Sequence, residues 1–310
     1  MANNLAALQQ FLGARARAQE PLARHTTLRI GGPADLWVEA KSTVELIEWS
    51  RQAWAYGVPV LVIGHGSNLL VLDGGVRGLV IENRADKIRL QVTDSEHAIL
   101  EAESGASLPL MANQLARQGW SGLEWAIGVP GTIGGAVVGN AGAHGSSIAD
   151  RVLKTTVLSR PDEVSELTRP ELQLTYRGSR FKGSREYVIL SAELALGRQD
   201  PQTCIARMKE YTEHRRRTQP TEPSVGSMFK NPPGDFAGRL IEQAGLKGAR
   251  VGSVQVSPVH ANFFVNHGPA RAEDMMRLIE IVQGRVKQVF GLEMELEIQL
   301  VGDPVSPGAG

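Results

Sequence analysis

An α+β fold in two domains is predicted by three features of the chain. It opens on alternating β and α segments and then gives way to many short strands, so the regular βαβ repeat of a doubly wound sheet is missing. Its 42% hydrophobic and 21% charged residues are an ordinary globular mixture. From about residue 200 the pattern changes to helices interleaved with a few strands, enough for a compact module of roughly 100 residues.

The elements follow in order. MANNLAALQQFLGARARAQE lacks a basic leader, and its apolar part is broken by Gln9 and Gln10, so an amphipathic helix is expected over 1–20. RHTTLRIGGPADLWVEA reads as β-rich around a Gly-Gly-Pro turn. Ser42 and Glu45 form a capping box for a helix that ends at Gly57. VPVLVIG is a continuous apolar strand of the kind buried on both faces. Two short strands are expected around the Asp-Gly-Gly turn that follows. A helix from about Ser107 stops at Gly119, and strands follow at RVLKTTVLS and EYVILSAELAL. Asp200 caps a helix whose first residue is Pro201. Beyond it, helices are expected at about 235–244 and 271–290, and strands at about 251–256, 261–266 and 293–300.

Charge and cysteine content narrow the function. Lys plus Arg equals Asp plus Glu at 33 each, so no global basic field recruits nucleic acid. One cysteine, Cys204, excludes an internal disulfide and a cysteine-based metal or iron–sulfur site supplied by this chain alone. A reducing cytoplasm is the expected location. The seven histidines show no metal-ligand spacing. No run of 18 apolar residues occurs, so no membrane-spanning helix is expected.

Two glycine loops bear most directly on function, GHGSN at 64–68 and GVPGTIGG at 128–135. The second opens a run, 128–145, with seven glycines in eighteen residues and no Lys, Arg, Asp or Glu. Backbone N–H groups in such loops hold a diphosphate without side-chain charge. Tight turns account for either loop equally well when it is taken alone. Neither matches the Walker or the Rossmann fingerprint.

Together, RHTTLRIGGPADLWVEA, GHGSNLLV, GLEWAIGVPGTIGGAVVGNAGAHG, LTYRGSRF, GSMFKNP, HANFFVN and FGLEMELEIQLVG resemble the UDP-N-acetylenolpyruvoylglucosamine reductase (MurB) family, in family order over about residues 24 to 302. The resemblance implies a split FAD-binding domain of the vanillyl-alcohol oxidase type over 21–199, in parts of about 21–83 and 84–199. A small α+β substrate domain over 200–302 and a loose tail at 303–310 would follow. Non-covalent FAD would lie against Gly64, His65, Gly66, Ser67, Asn68 and Leu69, and against Gly128, Val129, Pro130, Gly131, Thr132, Gly134 and Gly135. Asn140, Ala141 and Gly142 would line the flavin side. The implied reaction uses NADPH to reduce the enolpyruvyl ether of a UDP-sugar to UDP-N-acetylmuramate, a peptidoglycan precursor. No nucleic-acid or membrane partner is implied, and a monomer is expected.

By motif, the resemblance implies Arg177, Ser227 and Glu297 as catalytic residues, and Tyr176, Lys230, Asn231, His260 and Asn262 as substrate-binding ones. The chemistry suits them. An arginine fork matches two carboxylate oxygens of an enediolate. A protonated Glu297 would donate one more hydrogen bond, and the Ser227 hydroxyl is acidic enough to protonate so strong a base. The chain departs from the family at His65, where glycine is usual, at His144, where tyrosine is usual, and at Gln299, where arginine is common. It has no room for the tyrosine-bearing loop of the longer family form.

Read without the resemblance, these residues have plainer roles. Glu297 shares a solvated strand face with Glu293, Glu295 and Gln299. Arg177 is one of three basic residues in a polar loop with Arg180 and Lys182, and Ser227 caps a turn. Arg215, Arg216 and Arg217 close a helix, offsetting its dipole, or form a steering patch for phosphate. Two other functions stay open at this stage: a sugar or alcohol oxidase of the same fold, often with covalently tethered FAD, and a non-catalytic flavin or nucleotide-sugar binder; His65 is a poor tether, because the resemblance places it at the diphosphate and not at the ring.

Overall fold

The computed structural model describes residues 2–305. The chain divides into two compact units, Met1–Arg17 with Leu36–His65 and Gly78–Arg215, and Ala18–Asp35 with Gly66–Arg77 and Arg216–Gly310. The division near residue 200 expected from the pattern change therefore falls after Arg215, inside the helix Pro201–Thr218. Two early segments also join the second unit. The reason lies in their side chains: Leu28, Ile30 and Leu70 are buried in that unit's core. Thr27 Oγ1 donates to Ser224 O at 2.7 Å, and Asn266 Nδ2 donates to Leu28 O at 3.0 Å.

In the first unit, Val60–Ile63 pairs in parallel with Val76–Asn83, which lies beside Pro33–Ala40. Leu61 and Val62 are only half-buried, so the strand Val60–Ile63 is not covered on both faces as expected. Thr43–Ala55 packs Leu46, Trp49 and Ala53 into this core. Ser42 Oγ accepts from Glu45 N at 3.2 Å, but the Glu45 carboxylate reaches back to Lys41 N at 2.8 Å and not to Ser42. The N-terminal helix is Ala2–Leu12, shorter than expected; Arg17–Pro21 is a strand. Arg24–Gly32, expected to be β-rich, forms no strand.

A second sheet in this unit runs Glu163–Thr168, Val152–Ser159, Tyr187–Arg198, His97–Glu103, Ile88–Val92, with antiparallel neighbours throughout. The last two strands were not expected from the sequence. The helix Leu108–Arg117 lays Leu108, Met111, Ala112 and Leu115 into the core, and Gly119 at φ +78° ends it in a left-handed turn. The glycine run is less of a loop than its composition suggests. Glu124–Gly128 is a 3-10 turn and Ile133–Gly139 is a helix.

The second unit has an antiparallel sheet in the order Ser224–Ser227, Phe263–Asn266, Val254–Val256, Arg250–Val251. The strand expected at 251–256 is thus a hairpin broken at Gly252 and Ser253. Helices Ala237–Gln243 and Ala272–Phe290 cover the core. Asp73 caps the longer one, taking the N–H groups of Ala272 and Glu273 at 2.9 Å each. Of the strand expected at 293–300, only Gln299–Val301 is regular, parallel to Leu69–Val71. The alternation is real for Met294 and Ile298, which are buried, but Leu292 and Leu300 are exposed. Asp303 bridges Gly75, so the tail begins as ordered chain, and its end lies outside the described residues.

Candidate active site

The two glycine loops meet inside the first unit. A Cβ at Gly64 would lie 2.5 Å from Thr132 Oγ1 and 2.8 Å from Thr132 Cγ2, so only glycine allows this approach. Thr132 caps the helix Ile133–Gly139, its Oγ1 accepting from Gly135 N at 3.4 Å. Leu108 N donates to Gly131 O, and Ile133 N donates to Ala106 O, which fixes the peptides on either side of Thr132. The result is a close approach of the two loops, held by backbone bonds on both sides of Thr132. In the second unit Gly66 continues the first loop, its carbonyl accepting from Thr27 N.

Glu124 anchors the entry to the second loop. Its carboxylate is buried and accepts from Ser121 Oγ at 2.7 Å, Gly122 N at 2.8 Å and Arg207 at 3.4 Å. Burial alone would raise its pKa, but the hydrogen bonds outweigh burial and the carboxyl ends below its ordinary range. Burial, with the Glu124 charge beside it, pushes the Cys204 thiol up to about 11, so Cys204 is a packing residue and not a thiolate nucleophile.

Arg177 occupies the third position of a tight turn. Thr175 N donates to Gly178 O at 3.0 Å and Gly178 N returns the bond at 3.2 Å. Arg177 has φ +56°, a left-handed conformation in which glycine or asparagine is usual. Its guanidinium carbon sits 5.6 Å from the centre of the exposed Tyr176 ring. The turn is tied to the glycine run: Asn140 Nδ2 donates to Thr175 O at 2.8 Å, and Ser179 Oγ donates to Val138 O at 2.8 Å. Asn140 Oδ1 also accepts from Ala149 N at 3.2 Å. The side chain expected to face flavin is thus engaged with backbone at both ends.

Ser227 and Glu297 lie in the second unit on adjoining segments. Ser227 ends a strand, after Gly226 at φ +75°. Glu297 N donates to Met228 O at 2.9 Å, and Phe229 bridges Leu296. Asn68 holds the chain on both sides of Ile298, its Nδ2 reaching Glu297 O at 3.4 Å and its carbonyl accepting from Gln299 N at 2.9 Å. One loop residue expected at the cofactor therefore also fixes the backbone of the expected catalytic glutamate. Lys230 is ion-paired with Glu295.

Asn262 differs from expectation. It is buried, and its amide brackets Phe229: Nδ2 donates to Phe229 O at 2.8 Å and Oδ1 accepts from Phe229 N at 3.0 Å. With both ends on main chain, it braces the segment that carries Ser227. Asn231 is exposed, and its Oδ1 accepts from Ala237 N at 3.0 Å. His260 Nδ1 accepts from Asn262 N at 3.2 Å. Burial, then the Lys247 charge, holds the His260 pKa below its ordinary value, which keeps this acceptor unprotonated.

Sequence reading missed the inward role of Arg215. Cys204, Met208, Tyr211 and Arg215 recur at helical spacing, and that stripe faces the core. Arg215 runs along Gly128, where a Cβ would lie 2.5 Å from its Nε; Arg216 and Arg217 are exposed. Tyr211 stacks on His144 with ring centres 4.0 Å apart and planes 12° apart. Burial, then the charges of Arg215 and His214, lower the His144 pKa, and its buried Nε2 has no hydrogen-bond partner among the described residues. Burial, then Arg84, also lowers that of His65. Among the described residues no three metal-ligating side chains gather, and no helix is long and apolar enough to cross a membrane.

Comparison with known proteins fits this geometry. Residues 34–167 match the FAD binding domain family, and residues 219–301 match the C-terminal domain of UDP-N-acetylenolpyruvoylglucosamine reductase. The chain is 46% identical over 295 residues to the UDP-N-acetylenolpyruvoylglucosamine reductase of Rubrobacter xylanophilus, covering 95% of this chain and 98% of that one. It is 44% identical over 289 residues to reductase 2 of that name from Symbiobacterium thermophilum, covering 93% and 92%. The crystal structure of the Thermus caldophilus enzyme superposes with a TM-score of 0.78 at 35% identity, over 93% of this chain and 98% of that one.

An α+β chain whose residues 34–167 match an FAD binding domain and whose fold is that of the Thermus caldophilus reductase is an FAD-dependent oxidoreductase. The chain belongs to the UDP-N-acetylenolpyruvoylglucosamine reductase family, whose activity is that of a UDP-N-acetylmuramate dehydrogenase.

Proposed function

We propose that this enzyme reduces the enolpyruvyl ether of UDP-N-acetylglucosamine to the lactyl ether of UDP-N-acetylmuramate, with NADPH as the electron source. FAD, when bound, supplies the hydride. Gly64, Gly131 and Thr132 would hold its diphosphate on backbone N–H groups, at the point where the two loops approach so closely that a Cβ on Gly64 would strike Thr132.

With a hydride on the terminal carbon of the double bond, negative charge builds on the neighbouring carbon and spreads into the carboxylate. Arg177 binds the two carboxylate oxygens through its fork and stabilises the enediolate. Glu297, protonated, donates a further hydrogen bond to it. Ser227 then gives its proton to the carbon that carries the charge, completing the lactyl group, and is reprotonated by solvent. Lys230 and His260 hold other polar groups of the nucleotide sugar.

The observation that carries the catalytic assignment is the bond from Glu297 N to Met228 O, at 2.9 Å, next to Ser227. Two of the three expected catalytic residues, far apart in sequence, thereby share one locality. Changing Ser227→Ala tests the assignment. It should leave reduction of the bound FAD by NADPH intact and slow its reoxidation by the sugar by roughly 100- to 10,000-fold. Reoxidation at the parent rate would remove Ser227 as the proton donor.

A further inference from the structure

Arg177 sits in a conformation that a non-glycine residue holds only when its surroundings impose it. Two backbone bonds close the turn, and one of them, Gly178 N to Thr175 O, holds the N–H of the peptide that follows Arg177. Lys182 holds the carbonyl of that same peptide. Its Nζ donates to Arg177 O at 3.0 Å, five residues back across the loop. The backbone on which Lys182 sits is itself held, by Lys182 N to Ser179 O and Arg180 N to Leu172 O, and Phe181 beside it is buried. On the other side of the turn, Asn140 grips Thr175 O at 2.8 Å. The two carbonyls flanking the Tyr176–Arg177 pair are therefore each clamped by a side chain.

We propose that Lys182 is a positioning residue for the reaction, holding the Arg177 carbonyl so that the guanidinium is aimed before substrate arrives. The proposal rests on Arg177 being the group that meets the carboxylate. A lysine is a costly way to secure a loop, because it brings a second cation to the peptide of an arginine. The cost is recovered when an anion binds at Arg177, since both charges then favour it. A preorganised guanidinium serves the enediolate more than the ground state, so the effect belongs in kcat.

The test uses the FAD-loaded full chain. Lys182→Met, close in length and without a donor, should keep FAD and the rate of flavin reduction by NADPH. It should lower kcat for the enolpyruvyl sugar by roughly 10- to 100-fold, with KM little changed. Lys182→Arg, which keeps a donor and the charge, should recover most of that loss. In an Arg177→Ala background Lys182→Met should cost nothing further, because the residue acts through Arg177.

Additive losses in the double variant, or a change confined to KM, would make Lys182 an independent substrate ligand and overturn the proposal. Parent kcat in Lys182→Met would overturn it as well. Loss of FAD or of folded protein in that variant, with full recovery in Lys182→Arg, would assign Lys182 to stability and also overturn it. Parent kcat in Arg177→Ala alone would instead sink the catalytic reading on which the proposal depends.

Discussion

At the scale of single residues, some polar side chains of the expected site hold backbone, and Asn262 is one of them. Its amide satisfies both the N–H and the C=O of Phe229, a fully buried residue two positions after Ser227. Removing the amide leaves both groups unpaired in the core. Asn262→Ala should lower the stability of the holoenzyme by about 2–4 kcal/mol, read as a lower denaturant midpoint. A midpoint within experimental error of the parent would show that the bracket contributes nothing. The motif HANF marked Asn262 for attention but not for the right reason. A one-dimensional pattern shows which residue is special; only the fold shows whether its amide turns toward a ligand or toward main chain. Ser227 and Glu297 were likewise unremarkable by periodicity, since what joins their segments is long-range backbone pairing, Glu297 N to Met228 O and Lys230 N to Glu295 O.

At the scale of elements, local chemistry was legible and tertiary pairing was not. The helices Thr43–Ala55 and Pro201–Thr218 begin where Ser42 and Asp200 stand, because caps act within one turn; Thr203 N bonds Asp200 Oδ2 at 2.9 Å. The segment 293–300 alternates only as far as Ile298 and finds a ladder partner only from Gln299 onward, which no local pattern reveals. The strands Ile88–Val92 and His97–Glu103 were missed because one is largely exposed and carries little apolar signal. The glycine run was read as loop, although seven of its residues form a helix. Here composition obscured a short element whose purpose is to present Thr132. The contact of Gly64 with Thr132 makes a sharp prediction. In Gly64→Ala the new methyl strikes Thr132, so the loops must part, and retention of FAD through purification should fall by roughly 10-fold or more. An undiminished flavin content would mean that the two loops need not touch to hold the cofactor.

At the scale of the whole molecule, each unit contributes a separately organised set of groups. The first holds the glycine loops that meet at Thr132 and the clamped turn of Arg177; the second holds Ser227, and Glu297 bonded to Asn68. The two family matches divide along nearly the same lines, with residues 34–167 on the cofactor side and 219–301 beyond it. The early segments that cross to the second unit explain why no linker was visible near residue 200: the chain passes between the units more than once. The proposed reaction needs both halves, one to receive electrons and one to finish the reduction with a proton. Both can be followed in one experiment, an anaerobic trace of the visible flavin absorbance of the purified holoenzyme. NADPH is added first and the enolpyruvyl UDP-sugar second. Bleaching is expected on the first addition and full return of colour on the second, in proportion to the sugar supplied. Bleaching that the sugar fails to reverse would contradict the proposed reaction, and would mean that this chain passes its electrons to a different acceptor.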